Sequence, residues 1–270
     1  MDVATAKPTA ADLAAAPHHC LDLVDPDESF SASDFRRAAL AALHGIAERG
    51  SVALLVGGTG LYLRAIARGL LLDTDDSGAP VRAELEARLD ADGLDTLVTE
   101  LQQRDAEGAA TVDLRNPRRV IRALERAILT GAASPPPPEG YAAPVTWLGL
   151  RLAPAAHRAR IEARIDEHFA GGLLDEAQSL RSRYPEDLSA FSAMGYREAF
   201  DVLAQRCTID EARARDAKRT WAYARRQRTW FRSEPGIDWL EAGEGTAEPA
   251  AAALEPWFER TGREHYAGRR

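Results

Sequence analysis

The strongest chemical signal in the sequence is a cluster of basic side chains near its C-terminal end. Residues 213–232 contain eight arginines and lysines but a single acidic residue, Asp216. On a helix, the following seven of these cations cover about half of the circumference: Arg215, Lys218, Arg219, Arg225, Arg226, Arg228 and Arg232. Because the whole chain carries a net charge of −8, such a local basic face is typical of a protein that binds nucleic-acid phosphates. The alternative interpretation is a solvated helix face.

A glycine-rich loop is the second candidate site. The sequence GGTGLY at residues 57–62 directly follows the apolar run VALLV at residues 52–56. Glycines allow close approach to the backbone, a following helix N-terminus attracts anions, and Thr59 adds a hydroxyl group. The alternative is a plain tight turn. The loop is not a P-loop of the GxxxxGK[ST] type, because the only lysines are Lys7 and Lys218.

Arginines recur at helical spacing in two further segments. Residues 116–125 (NPRRVIRALE) place Arg118 and Arg122 four residues apart on one helix face, with Arg119 one residue further round. Residues 158–164 contain a similar set. Arginines of this kind can clamp phosphates through paired hydrogen bonds, and the alternative is ion pairing with neighbouring acids on the same helix.

Two shorter motifs carry weaker signals. Residues 192–198 (SAMGYRE) have a glycine directly before Tyr196 and Arg197, which indicates that something approaches this backbone closely. The pair His18 and His19 has no third ligand nearby in the sequence, so we predict no metal-ligating residues.

The elements that position these residues alternate between strand-like and helical patterns, which predicts an α/β fold. Strands are predicted within residues 17–30 and at 52–56, 145–152 and 237–240, and helices at 35–49, 61–69, 155–182, 189–205, 209–232 and 247–260, with about three more in 81–131. A composition shift near residue 72 and a proline run at 135–138 delimit a helical segment. We therefore predict an α/β core with C-terminal helices at residues 1–71 and 141–270, and a helical insertion domain at 72–140.

Composition limits the functional classes. The chain has 45% hydrophobic and 28% charged residues, no apolar run of membrane-spanning length, and no secretory signal pattern. Its two cysteines, Cys20 and Cys207, do not form a CxxC pair, which favours a reduced, cytoplasmic protein.

In their order along the chain, these motifs resemble the tRNA dimethylallyltransferase family. The stretches that carry the resemblance are residues 1–8, 17–26, 55–62, 116–125, 160–176, 194–198 and 225–232. The resemblance implies a P-loop-kinase-like parallel sheet core with an inserted helical domain. It also implies transfer of a dimethylallyl group from dimethylallyl diphosphate to N6 of adenosine 37 in tRNA, assisted by Mg²⁺. The partners implied are the tRNA anticodon stem-loop and dimethylallyl diphosphate, with no membrane, and we expect a monomer.

The resemblance also implies roles for individual residues. Thr59 lies where the family has a threonine near the reacting groups, Arg119 and Arg164 match arginines that handle the diphosphate, and Gly57, Gly58 and Thr59 are the expected diphosphate-binding loop. The residues that match tRNA contacts are Arg82, Arg118, Arg122, Ser192, Gly195, Tyr196, Arg197, Arg225, Arg226, Gln227 and Arg232.

The sequence departs from the family pattern at its N-terminal end. Met1 aligns with an internal methionine of the family, so the first strand, the P-loop and the aspartate taken as the general base are expected to be missing. Three interpretations follow: a transferase whose sequence starts too late, a shortened protein that binds tRNA without prenyl transfer, or an adenylate isopentenyltransferase that acts on free nucleotide. For residues 1–270 alone, we expect impaired transfer.

Overall fold

The computed structural model describes residues 1–69, 78–135, 141–243 and 245–261. The chain divides into two compact units: the first comprises Met1–Ser31, Arg37–Leu63 and Ala142–Arg270, and the second comprises Ala32–Arg36 and Arg64–Tyr141. The domain boundaries at residues 72 and 140 stay a prediction. The composition shift near residue 72 and most of the proline run lie outside the described residues.

Helices dominate the described residues. Their order is α1 (Ala10–Ala15), α2 (Ala32–Glu48), α3 (Gly60–Ala67), α4 (Ala79–Asp92), α5 (Leu94–Arg104), α6 (Ala106–Ala109), α7 (Pro117–Thr130), β1 (Trp147–Arg151), α8 (Pro154–Ala170), α9 (Leu173–Arg183), a 3₁₀ turn (Ser189–Ser192), α10 (Tyr196–Leu203), α11 (Ile209–Arg232), β2 (Ile237–Glu241) and α12 (Ala247–Thr261). None of the described helices is both long and apolar enough to cross a membrane.

The two strands confirm the α/β class. β1 and β2 pair in parallel, with Trp147 opposite Ile237 and Arg151 opposite Glu241. The chain between them forms α8 to α11, as a parallel pair requires a long crossover connection. The strands predicted at residues 145–152 and 237–240 are therefore confirmed.

The core of the first unit lies among α8, α9, α10 and α11. The residues that the sequence places on one face of a helix at 155–182 are all buried: Ile161, Ile165, Phe169, Leu173 and Ala177. A single helix over that range is nevertheless wrong, because the chain turns between α8 and α9 at Gly172, whose φ is +93°. Left-handed backbone of this kind interrupts a helix and favours glycine.

The core of the second unit lies among α4 to α7. Leu97, Leu101, Val120 and Leu124 are fully buried there. The side chain of Asn116 accepts a hydrogen bond from the Arg119 backbone N–H at 3.3 Å and caps α7, as the Asn-Pro signal predicts.

Two predicted strands are wrong. Within residues 17–30, Cys20 and Asp22 have φ values of +62° and +49°, which a strand does not allow. Residues 52–56 form no strand and pair with no other described segment, and the side chains of Leu54 and Val56 are 81% and 80% exposed. An apolar run needs a hydrogen-bonding neighbour on each side to become a buried strand.

Candidate functional site

The glycine loop, residues 57–60, contacts the C-terminal half of α11 inside the first unit. The side-chain Nε2 of Gln227 donates a hydrogen bond of 2.9 Å to the carbonyl oxygen of Gly58. The hydroxyl of Thr59 lies 3.3 Å from the hydroxyl of Tyr223. The two motifs with the strongest chemical signals in the sequence are therefore adjacent in space.

Side chains of α11 approach two glycines of the loop closely. A Cβ atom at Gly58 would lie 2.0 Å from Nε2 of Gln227, and one at Gly60 would lie 2.0 Å from Nε1 of Trp230. A Cβ atom at Gly57 would meet no described atom within 4 Å. Close approach at Gly58 and Gly60 therefore comes from α11, whereas Gly57 remains open to a ligand. The diphosphate-binding role of Gly57, Gly58 and Thr59 stays a prediction.

Ion pairs compensate the arginines in the N-terminal half of α11. Arg215 Nη1 lies 3.3 Å from an Asp201 carboxylate oxygen, and Arg219 Nη1 lies 2.6 Å from a Glu198 oxygen. Arg213 is also paired, at 3.6 Å, with a carboxylate of α8. For this half of α11, a solvated helix face with ion pairs describes the arginines better than a phosphate-binding surface does.

The C-terminal half of α11 is different. Arg225, Arg226, Arg228 and Arg232 are exposed, and no carboxylate of the described chain lies within 4.0 Å of them. The guanidinium of Arg226 lies 5.6 Å from the ring centre of Tyr223, a distance typical of a cation–π contact. We call Arg225, Arg226, Arg228 and Arg232 the distal arginines. Exposed cations without acidic partners are the expected form of a phosphate-binding surface.

A cleft of about 290 Å³ separates α11 from the segment before α10. It is lined by Ser192, Ala193, Met194, Arg219, Ala222 and Arg226. Arg219 donates a 2.7 Å hydrogen bond to the carbonyl oxygen of Ser192, so this wall of the cleft is tied to α11. Ser192 and Arg197 are exposed, as a tRNA contact requires.

Gly195 and Tyr196 occupy the interior. Gly195 has a φ of +84°, and Tyr196 is fully buried and donates a 2.7 Å hydrogen bond from its hydroxyl to Glu176. Burial, followed by the Glu176 carboxylate, raises the pKa of Tyr196. In this conformation both residues shape the start of α10, and neither presents a surface to RNA.

Buried carboxylates at the same place are functional candidates that the sequence analysis did not identify. Glu198 and Asp216 are each 2% exposed. Glu198 accepts a 3.1 Å hydrogen bond from the Gly195 N–H, and Asp216 accepts one of 3.1 Å from the Thr220 hydroxyl. Burial, and then the negative charge of Glu198, raises the pKa of Asp216 to about 6, although Thr220 and Arg219 oppose the shift. The sequence did contain a signal for Asp216, because it is the one acidic residue within the basic run at residues 213–232.

In the second unit, Glu125 holds two of the predicted tRNA contacts. Arg82 donates hydrogen bonds of 3.0 and 2.6 Å to the two carboxylate oxygens of Glu125, which is 2% exposed, and Arg122 donates one of 3.1 Å. Arg118 and Arg119 are exposed on α7. This ion-pair cluster gives Arg82 and Arg122 a structural role in addition to the predicted one.

The predicted diphosphate arginines belong to different units. Arg119 lies in the second unit, 3.5 Å from a carboxylate oxygen of Asp113. Arg164 lies in the first unit and is exposed on α8, where, after burial, its charge contributes to lowering the pKa of His168. Their shared role stays a prediction.

A protein ligand set for Mg²⁺ is absent from the described residues, since no three His, Cys, Asp or Glu side chains there lie together in a suitable cluster. Thr59 has a tyrosine hydroxyl beside it. The side-chain donors that the structure shows beside this loop include the hydroxyls of Thr59 and Tyr223, and no step below depends on a Mg²⁺ ion.

Comparison with known proteins identifies the family. The IPP transferase family model matches residues 1–234. The chain is 42% identical to the tRNA dimethylallyltransferase of Roseiflexus sp. over 96% of this chain and 86% of that protein, and 40% identical to tRNA dimethylallyltransferase 1 of Pelobacter propionicus over 89% and 80%. The chain therefore belongs to the IPP transferase family, and the resemblance found in the sequence is confirmed at that level.

Solved structures agree with this assignment. A tRNA isopentenylpyrophosphate transferase from Bacillus halodurans is similar with a TM-score of 0.65 and 35% identity, covering 97% of this chain and 86% of that one. A eukaryotic dimethylallyltransferase acting on tRNA has a TM-score of 0.77 over 97% of this chain and 70% of that one, and at 22% identity it supports the fold alone.

Proposed function

We propose that the chain binds the anticodon stem-loop of tRNA and transfers a dimethylallyl group from dimethylallyl diphosphate to N6 of adenosine 37. Family membership and the names of the relatives support a prenyl transfer to tRNA. The observation that carries the proposal is the contact between the glycine loop and α11. It joins a candidate anion-binding loop to the helix whose distal arginines have no carboxylate of the described residues within 4.0 Å.

The reaction sets three physical requirements. The N6 amine of adenine attacks C1 of the dimethylallyl group, the bond between C1 and oxygen breaks, and pyrophosphate leaves with the bonding electrons. The amine then gives its proton to a base. The adenine must leave its stack, at a cost of a few kcal/mol, and cations or N–H groups must meet the charge that develops on the diphosphate.

We assign the donor side to the glycine loop and two arginines. The assigned role of Thr59 is to donate a hydrogen bond from its hydroxyl to the diphosphate, and two observations support it: that hydroxyl lies 3.3 Å from the hydroxyl of Tyr223, and Gly57 of the same loop is open to a ligand. Arg119 and Arg164 are exposed guanidiniums that would neutralise the leaving group, each able to form paired hydrogen bonds with phosphate oxygens.

We assign the tRNA side to basic and polar residues, all of them exposed except the half-buried Arg122. The distal arginines of α11 contact backbone phosphates, and further contacts are made by Ser192, Arg197, Arg118 and Arg122. Gly195 and Tyr196 act from the interior by fixing the backbone that carries Ser192 and Arg197.

A nucleoside analysis tests the function. The purified chain is incubated with dimethylallyl diphosphate and a synthetic anticodon stem-loop, and the RNA is digested and analysed by mass spectrometry for dimethylallyladenosine. Dimethylallyladenosine is expected with adenosine at position 37 and not when guanosine replaces it, and its yield tests the impaired transfer expected for residues 1–270. RNA binding without product would favour the non-catalytic tRNA-binding interpretation, and product formed from free adenosine monophosphate would favour the mononucleotide one.

A further inference from the structure

Three side chains of α11 that face the glycine loop form one stripe. Tyr223, Gln227 and Trp230 are four and three residues apart, so they lie on the same side of the helix. Each meets a different residue of the loop: Tyr223 meets Thr59, Gln227 meets Gly58, and Trp230 meets Gly60. One helix face therefore holds the loop at successive positions.

Most of the distal arginines lie on the other side of α11. At about 100° per residue, Arg225, Arg228 and Arg232 lie roughly opposite Tyr223. Arg225, Arg228 and Arg232 are exposed, whereas the side chains of the stripe are half-buried. The helix therefore presents its cations to solvent and its stripe to the loop.

We propose that Gln227, together with Tyr223, is a positioning residue that fixes Thr59 for the reaction and does not itself contact tRNA. The sequence resemblance gave Gln227 to the tRNA-binding set, but its Nε2 is already used on the Gly58 carbonyl at 2.9 Å. The bond needs glycine at position 58, because a Cβ atom there would lie 2.0 Å from that same nitrogen. The amide of Gln227 is thus oriented toward the loop, as a positioning role requires.

The loop in turn anchors the start of α3. The carbonyl oxygen of Thr59 accepts hydrogen bonds from the backbone N–H groups of Tyr62, at 2.9 Å, and Leu63, at 3.2 Å. When Gln227 no longer holds Gly58, these two amides are expected to open more often, which hydrogen exchange detects. This readout is independent of any catalytic activity.

The test compares Gln227→Met, which keeps the length of the side chain but removes its donor, with the wild-type chain and with Thr229→Val. Thr229 is a matched control, because its exposed hydroxyl bonds only to the Arg225 carbonyl oxygen of the same helix. For Gln227→Met we expect hydrogen exchange of the Tyr62 and Leu63 amides to be about fivefold faster, as for the loss of one hydrogen bond. Its dissociation constant for an anticodon stem-loop RNA should stay within threefold of wild type, and Thr229→Val should change neither quantity.

The kinetic consequence rests on the proposed function. We expect Gln227→Met to lower kcat for prenyl transfer by tenfold or more and to leave KM for the RNA within threefold. Tyr223→Phe should lower kcat in the wild-type chain but not in a Thr59→Val chain, because both substitutions break the same contact.

Either of two results would overturn the positioning role: RNA affinity of Gln227→Met reduced more than threefold, or exchange of the two amides unchanged. If the wild-type chain forms no product, the proposed function fails while the exchange and affinity measurements still decide the role of Gln227.

Discussion

The salt dependence of RNA binding distinguishes the distal arginines from the paired ones. Each Lys or Arg that neutralises a phosphate releases counterions, so the slope of log affinity against log salt changes by about 0.7 per contact on single strands and about 0.9 on duplex. Because Arg225 and Arg228 are exposed without acidic partners in the described chain, Arg225→Ala/Arg228→Ala is expected to flatten this slope by roughly 1.4–1.8. When salt is raised from about 50 to 200 mM, the fold-loss of RNA affinity should then be roughly 7 to 12 times smaller for the variant than for wild type.

A second double variant removes the same net charge from paired residues. Arg181→Ala/Arg215→Ala is suitable, since Arg181 pairs with Glu186, and Arg215 pairs with Asp201, which keeps its 2.8 Å pair with Arg206. Titration of a fluorescent anticodon stem-loop at several salt concentrations gives both slopes, and the control is expected to keep the wild-type slope. Equal slopes in all three proteins would favour the interpretation of α11 as a solvated helix face. Equal flattening in both variants would indicate that binding depends on overall charge.

Two further substitutions test the buried carboxylates. Because the pKa of Asp216 is about 6 in the folded chain and near 4 in an unfolded one, its ionisation lowers stability as pH rises from about 4 to 6, by about 3 kcal/mol in full. Asp216→Asn should therefore raise the free energy of unfolding by about 1–3 kcal/mol at pH 7.5 and by little near pH 4. Urea unfolding at both pH values measures this difference, and a lower free energy of unfolding for the variant at pH 7.5 would contradict the prediction. Glu125→Ala leaves Arg82 and Arg122 without their shared buried carboxylate, but both guanidiniums are partly exposed, so thermal unfolding should show about 1–3 kcal/mol lower stability. Unchanged stability would disprove the structural role of the cluster.

The sequence predicted the elements with strong local signals. The start of α7 was predictable because Asn116 and Pro117 are a capping residue and a first-turn proline, and the buried positions of α8 and α9 followed from their spacing. The extent of α11 was predictable as well, since an uninterrupted run of helix-compatible residues covers it.

Long-range contacts were not predictable from local patterns. The bond between Gly58 and Gln227 joins residues 169 positions apart. Nothing in the spacing of either motif specifies that pairing, although Tyr223, Gln227 and Trp230 do share one helix face. In the same way, the basic run indicated seven similar cations, and only the positions of Asp201 and Glu198 reveal that Arg215 and Arg219 are paired.

Strands were the least predictable elements. The apolar runs at residues 52–56 and 145–152 look alike, but the second finds a parallel partner in β2 and the first pairs with no described segment. Hydrophobic composition indicates that a segment can be buried. It does not indicate which distant segment of the chain pairs with it, and that pairing decides whether a strand forms.

A cross-link from the reacting base tests the central claim, which is that the glycine loop and α11 together form the place where adenosine 37 meets the donor. An anticodon stem-loop with 8-azidoadenosine at position 37 is bound to the protein, irradiated, and the labelled peptides are identified by mass spectrometry. We predict adducts in residues 57–62 and none on Gln227, and dimethylallyl diphosphate should not move them elsewhere. Adducts confined to other parts of the chain, with RNA binding intact, would contradict it.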